Sequence, residues 1–208
     1  MHFNALSARL VIAATFAAAL SCSDSTAPGG TDTRDATDLR LLSVPYGQPS
    51  LATTQVSFYA VKGRATGADI WYHAAAGHTD SLKFLELRLG ANSLDKRPDG
   101  SSIAAGDSLL VTVTVTDQTH FLFAFQPSGL TFSAADQPTL NVSFAACGPD
   151  LNYDGRVDAS DQAIMDALSV WGQEAPFQPW FKVASLVKQD VREVHAQLSR
   201  FTGYALEF

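Results

Sequence analysis

Leu110-Val111-Thr112-Val113-Thr114-Val115-Thr116 alternates strictly between aliphatic and hydroxyl-bearing side chains. A strand turns successive residues to opposite faces. Val111, Val113 and Val115 therefore point one way and the threonines the other, the pattern of a half-buried antiparallel strand. The same period runs through Leu85-Glu86-Leu87-Arg88-Leu89, Phe121-Leu122-Phe123-Ala124-Phe125 and Leu140-Asn141-Val142-Ser143-Phe144, and less regularly through 56–61 and 70–72. Pro98-Asp99-Gly100, Gly106-Asp107, Pro127-Ser128-Gly129 and Gln137-Pro138 separate these runs and supply the fixed or positive φ of a reversal. Gly63-Arg64-Ala65-Thr66-Gly67 lacks the Gly-Lys-Ser/Thr ending of a phosphate loop and reads as a hairpin turn. Short strands at near-regular spacing predict a mainly β, antiparallel sandwich; a barrel shares the local pattern. No solenoid or propeller repeat of roughly 20–50 residues is visible.

The 208 residues are 46% hydrophobic and 17% charged. That suffices for a core in one or two domains, and the charged fraction lies below the roughly 25% of ordinary soluble chains, as expected of an exported β protein. A net charge of -7 leaves no basic excess to displace counterions from nucleic acid, so cations are the expected small partners. Cys22 and Cys147 are too few for a disulfide framework or a cysteine-rich zinc site.

Residues 1–21 read as a signal peptide: a short basic start precedes the apolar run Leu10 to Leu20. Eleven residues rise about 16 Å as a helix, short of the roughly 30 Å hydrocarbon core, so a permanent span is not expected. Ala19-Leu20-Ser21-Cys22 resembles the lipobox of bacterial lipoproteins, which implies that Cys22 is acylated and anchors the protein to a membrane. Two or three acyl chains would hold it stably. Cleavage after Ala17-Ala18-Ala19 would instead leave Cys22 a plain thiol. Residues 22–40 then form a flexible tether poor in large apolar side chains, and 41–208 the folded domain. Ser23 after Cys22 resembles the enterobacterial sorting signal for the outer membrane, which implies a cell-envelope lipoprotein facing the periplasm or the cell surface.

Phe125-Gln126-Pro127-Ser128-Gly129-Leu130-Thr131-Phe132, followed by Pro138-Thr139-Leu140, resembles the signature of the zona occludens and netrin-receptor type β-sandwich. Pro179-Trp180-Phe181, 193–198 and 201–206 are similar to the closing strands of its bacterial members, many of them lipoproteins. The resemblance implies the sandwich and transfers no active site. Lys182 to Ser199 has helical propensity, but Val194, Ala196 and Leu198 alternate with Glu193, His195 and Gln197, so strands are expected there.

Residues 150–161 carry a distinct signal. Asp150, Asn152, Asp154, Asp158 and Asp161 occupy positions 1, 3, 5, 9 and 12 of a twelve-residue loop with Gly155 at position 6, the spacing of an EF-hand. Ca²⁺ takes six to eight oxygens at about 2.3–2.6 Å, and a loop can wrap it only by turning sharply at its middle. Side-chain oxygens would come from the five polar residues, with Asp158 direct or through water, and a backbone carbonyl from Arg156. Val157 would point inward. Closure by Asp161 rather than Glu resembles the dockerin calcium loop, although a dockerin would carry two such loops. Four carboxylates in one loop repel, and a cation removes that penalty. A helix is expected to leave the loop with Ser160 as N-cap, Ile164, Leu168 and Trp171 on one face and Gly172 as its stop, making 148–172 a loop-helix insertion.

Weaker signals have ordinary readings. His73, His78 and Asp80 fit no zinc spacing and read as surface residues of a loop; His195 is expected on an exposed face. Ser128 lacks the Gly-x-Ser-x-Gly elbow of a hydrolase. Cys147 beside Ala145 and Ala146 reads as a buried inert thiol. The sequence thus predicts a non-catalytic, membrane-anchored binding or structural module with one structural Ca²⁺, its protein or glycan partner unspecified. A carbohydrate-binding domain would place two of Trp71, Trp171 and Trp180 on one exposed face, and a calcium-dependent hydrolase would converge acids and histidine in a pocket.

Overall fold

The structure is a computed structural model that describes residues 32–74 and 82–208. The leader, Cys22, the first part of the tether, His78 and Asp80 lie outside the described residues.

The described residues fold as an antiparallel β-sandwich with one α-helix. Ahead of the helix come β1 (Thr33–Arg34), β2 (Gln55–Val61), β3 (Thr66–Trp71), β4 (Lys83–Leu89), β5 (Leu94–Lys96), β6 (Ser108–Asp117), β7 (Leu122–Gln126), β8 (Thr131–Phe132) and β9 (Thr139–Ser143). After α1 (Ala159–Ala167) come β10 (Ser169–Gln173), β11 (Trp180–Lys182), β12 (Ser185–Lys188), β13 (Glu193–Gln197) and β14 (Gly203–Glu207). One sheet has the order β1-β11-β10-β14-β7-β6-β2, the other β12-β13-β9-β4-β3, and β5 and β8 form a small ribbon. The alternating runs all become strands, as do residues 180–198, where pattern outweighs helical propensity.

The alternation explains the core. Val111, Val113 and Val115 of β6 are buried beside Phe123 and Phe125 of β7, with Val113 opposite Phe125 and Val115 opposite Phe123. In the facing sheet Leu85 and Leu87 of β4 meet Val142 and Leu140 of β9, and Val194 of β13 meets Val142 from the other side. Phe84 stacks on Phe121 at 5.4 Å and meets Phe123 edge-on at 5.8 Å, joining the two sheets. Each such aromatic contact adds about 0.5–1.5 kcal/mol beyond area burial. Around the turn after β7, Leu130 is fully buried, Gly129 sits at φ +84° and the Gly129 N–H donates to the Phe201 carbonyl at 2.9 Å.

Three connections differ from expectation. Lys62 to Ala65, with Gly63 at φ +102°, links β2 to β3, which belong to different sheets; the turn crosses between layers and forms no hairpin. Trp171 and Gly172 lie in β10, so Trp171 is not on the helix and Gly172 does not end it; Trp171 is fully buried. Part of the stretch expected to be a tether is docked. Thr33 and Arg34 pair with Phe181 and Trp180 of β11, and the Arg40 carbonyl accepts from Phe208 N–H at 3.1 Å.

Candidate metal centre

The insertion bridges the two layers, since β9 belongs to one sheet and β10 to the other. A 3₁₀ turn over Ala145–Cys147 leads out of β9 in place of an entering helix. The loop then follows, and α1 delivers the chain to β10.

Most of the expected ligand residues organise the loop backbone. Gly155, at φ +84°, donates its N–H to Asp150 Oδ2 at 2.9 Å. Asp154 N–H donates to Asn152 Oδ1 at 3.0 Å and Arg156 N–H to Asp154 Oδ1 at 2.9 Å. These bonds wind positions 1 to 7 into consecutive turns, each closed by one side-chain oxygen. Asp150 Oδ1 is buried and has no hydrogen-bond partner among the described residues, so it is open to a water or a cation.

The remaining acids are tied to backbone amides. Asp161 is 2% exposed; its Oδ1 accepts from Leu151 N–H at 2.6 Å and from Asn152 N–H at 3.3 Å, and its Oδ2 from Asp158 N–H at 2.9 Å. The Asp158 amide first, then those of Leu151 and Asn152, hold its carboxyl below the usual carboxylate range. Oδ1 thus has both lone pairs engaged, while Oδ2 keeps a second one. Asp158, not Ser160, caps the helix: its Oδ1 accepts from Ser160 N–H at 2.8 Å and from the Ser160 hydroxyl at 2.7 Å. Asp158 and Asp161 thus form a reciprocal capping box, legible as an acid followed three residues later by another ahead of the helix. Val157 is 65% exposed and does not point inward. Among the described residues no three Asp, Glu, His or Cys side chains already form a metal-holding group. The loop brings Asp150, Asn152 and Asp154 together in sequence-adjacent turns, while Asp158 and Asp161 serve the helix start.

The loop is fastened at its base. Tyr153 donates its hydroxyl to the Ser43 carbonyl, which also accepts from Cys147 Sγ at 3.4 Å. Burial pushes the Cys147 thiol up to about 11, so it stays protonated and inert. Arg192 donates to the Gly148 carbonyl and lies 5.0 Å from the Phe144 ring centre. Ser43 and Arg192 carry no motif; only the three-dimensional fold brings them to the loop.

Elsewhere, His195 bonds Glu193 at 2.7 Å on the outer side of the second sheet, half exposed, and His120 bonds Asp117 at 2.9 Å within one turn. The tryptophans are dispersed: Trp171 is in the core, Trp71 in the five-stranded sheet and Trp180 in the seven-stranded one. The chain matches no known protein family, no curated protein and no solved structure.

Proposed function

We propose that this protein is a non-catalytic, exported binding or structural module, anchored to the cell envelope by a lipid on Cys22, whose inserted loop holds one Ca²⁺. Asp150, Asn152 and Asp154 would supply the first side-chain oxygens and Arg156 its carbonyl. Asp158 would add its Oδ2 and Asp161 the second lone pair of its Oδ2, each keeping the bonds its carboxylate makes to the backbone. The single observation that carries this reading is Asp150 Oδ1, a buried carboxylate oxygen without a partner at position 1 of a loop already wound by its own Asp and Asn side chains. A hard, oxygen-seeking cation satisfies it and would offset the repulsion among the four loop carboxylates as they close around it.

Native mass spectrometry with added calcium tests the reading. The chain should gain the mass of one Ca²⁺, and the combined Asp150→Ala and Asp154→Ala variant should not. A wild-type chain that gains no ion under those conditions removes calcium from the function.

A further inference from the structure

The edges of the two sheets are not protected alike. In the seven-stranded sheet one edge is β1, two residues long and carrying Arg34. In the five-stranded sheet one edge is β12, four residues ending in Lys188; the other is β3, which contains Asp69 and an irregular register between Ile70 and Trp71. Short length, charge and register breaks are the devices that stop a sheet from adding a further strand. The remaining edge, β2, has none of them. It is seven residues long, Gln55-Val56-Ser57-Phe58-Tyr59-Ala60-Val61, without charge or proline, and pairs in unbroken register with β6.

The register also tells which backbone groups face outward. Thr54 accepts from Val115 N–H at 2.8 Å and Lys62 donates to the Asp107 carbonyl at 3.0 Å, so the even-numbered residues bond β6 and the odd-numbered ones point away. Among the odd ones, the Gln55 N–H and carbonyl are met by Thr53 Oγ1, and the Val61 carbonyl by Arg64 N–H. Among the described residues nothing meets the outward N–H and C=O groups of Ser57 and Tyr59. Beside them Tyr59 is 67% exposed, and its cross-strand neighbour Leu110 is 52% exposed. Phe58 and Val56 reach the core from this edge but are only partly buried.

We infer that β2 is a dimerisation edge, joined to β2 of a second copy of this chain by antiparallel pairing about a two-fold axis at Phe58. The occupant follows from the strand itself. Outward donors and acceptors call for another strand, and this strand complements itself. With Phe58 opposite Phe58 of the second copy, Ser57 and Tyr59 face each other across the axis as two hydrogen-bonded pairs, and all four of their outward N–H groups find carbonyls. Gln55 falls opposite Val61 and Thr54 opposite Lys62, so no like charges meet. The two half-buried Phe58 rings cover one another at the sandwich rim, and Tyr59 gains a neighbour on its open side. The inference is independent of the calcium loop.

Sedimentation equilibrium of the full chain across a wide concentration range should give a reversible dimer. Tyr59→Lys combined with Ser57→Pro should weaken it by about tenfold or more, equivalent to about 1.4 kcal/mol, with the far-ultraviolet spectrum unchanged. The proline removes an N–H that no strand of the monomer uses. A register-specific test does not depend on that variant folding: in a Cys22→Ser background, Phe58→Cys should cross-link on mild oxidation, because facing Cα atoms of a non-hydrogen-bonded pair lie about 4.5 Å apart, within disulfide reach. Val56→Cys should stay monomeric on the same gel. A wild-type chain that remains a monomer, a dimer insensitive to the β2 changes, or cross-linking of Val56→Cys as efficient as that of Phe58→Cys would each overturn the inference.

Discussion

At the level of single residues, Gly172 shows how a local sequence signal can have two causes. Glycine after an apolar periodic segment commonly ends a helix, but here the helix ends at Ala167 and Gly172 sits mid-strand opposite Phe181. A Cβ at Gly172 would lie 2.5 Å from Phe181 Cζ, so what the position requires is space for a ring. Ile164, Leu168 and Trp171 do recur at helical spacing, yet β10 is buried along most of its length and so shows no two-residue alternation to reveal it. Gly172→Ala is expected to destabilise the protein by about 1–3 kcal/mol through overpacking. Urea denaturation checks this, and a second change, Phe181→Leu, should recover part of the loss by making room. If Gly172→Ala unfolds at the wild-type midpoint, the ring is not what selects glycine.

Among the elements, the two-residue β1 is the least legible in the sequence and the most dependent on electrostatics. Its surroundings, Ser, Thr, Asp and Gly, cannot form a core, and the tether reading is sound as far as composition goes. What docks it is a partner 173 positions away. Arg34 forms an ion pair with Glu207, a carboxylate 1% exposed, and its guanidinium lies 4.8 Å from the Trp171 ring centre. Burial pushes the Glu207 carboxyl above its usual range, opposed by the charge of Arg34 and, more weakly, of Lys182 and Arg40. A raised carboxyl pKa means that the native state binds the proton more tightly than the unfolded chain. The contribution to stability is therefore present below the usual pKa and is lost as pH rises through the native one. Arg34→Met removes the main opposing charge and extends that loss upward. The variant is expected to match wild type closely at acid pH, where Glu207 is protonated. At pH 8 it should fall short by less than the ~3–5 kcal/mol of a fully buried broken pair, because the Arg34 side chain is 42% exposed. Adding Glu207→Gln should restore most of the deficit. Chemical denaturation at the two pH values measures both; a deficit independent of pH would trace it to lost packing on Trp171.

For the whole molecule, what matters is where the loop is inserted. The sandwich itself was legible because strands with one face buried must alternate, and Val111 to Val115, Leu85 to Leu89 and Val194 to Leu198 all do. The candidate loop was legible for a similar reason: the EF-hand pattern it resembles has fixed offsets, with Gly155 where the turn is sharpest. Which sheet each strand joins was not, since the Lys62 to Ala65 turn has the same composition whether it closes a hairpin or crosses layers. The loop and α1 make such a crossing from β9 to β10, with Tyr153 and Arg192 fastening the loop to Ser43 and to the base of the second sheet. An ion held there would tie the two layers together, and its binding energy would add to the global stability of the sandwich instead of stiffening a surface appendage. Linkage sets the size of the effect: a ligand that binds only the native state adds about 2.7 kcal/mol at a concentration a hundred times its Kd. Calorimetry of the full chain should thus show one cooperative transition that moves up with calcium and returns on chelation. Asp150→Ala with Asp154→Ala should melt at a temperature that calcium does not change, somewhat below the chelated wild type because the bonds from the Gly155 and Arg156 amides are lost. Asp161→Ala should melt below it even in chelator, because it also loses the clamp on the Leu151 and Asp158 amides. If calcium shifted only a separate, smaller transition, the loop would be an independent unit and the two layers would be held by their aromatic core alone.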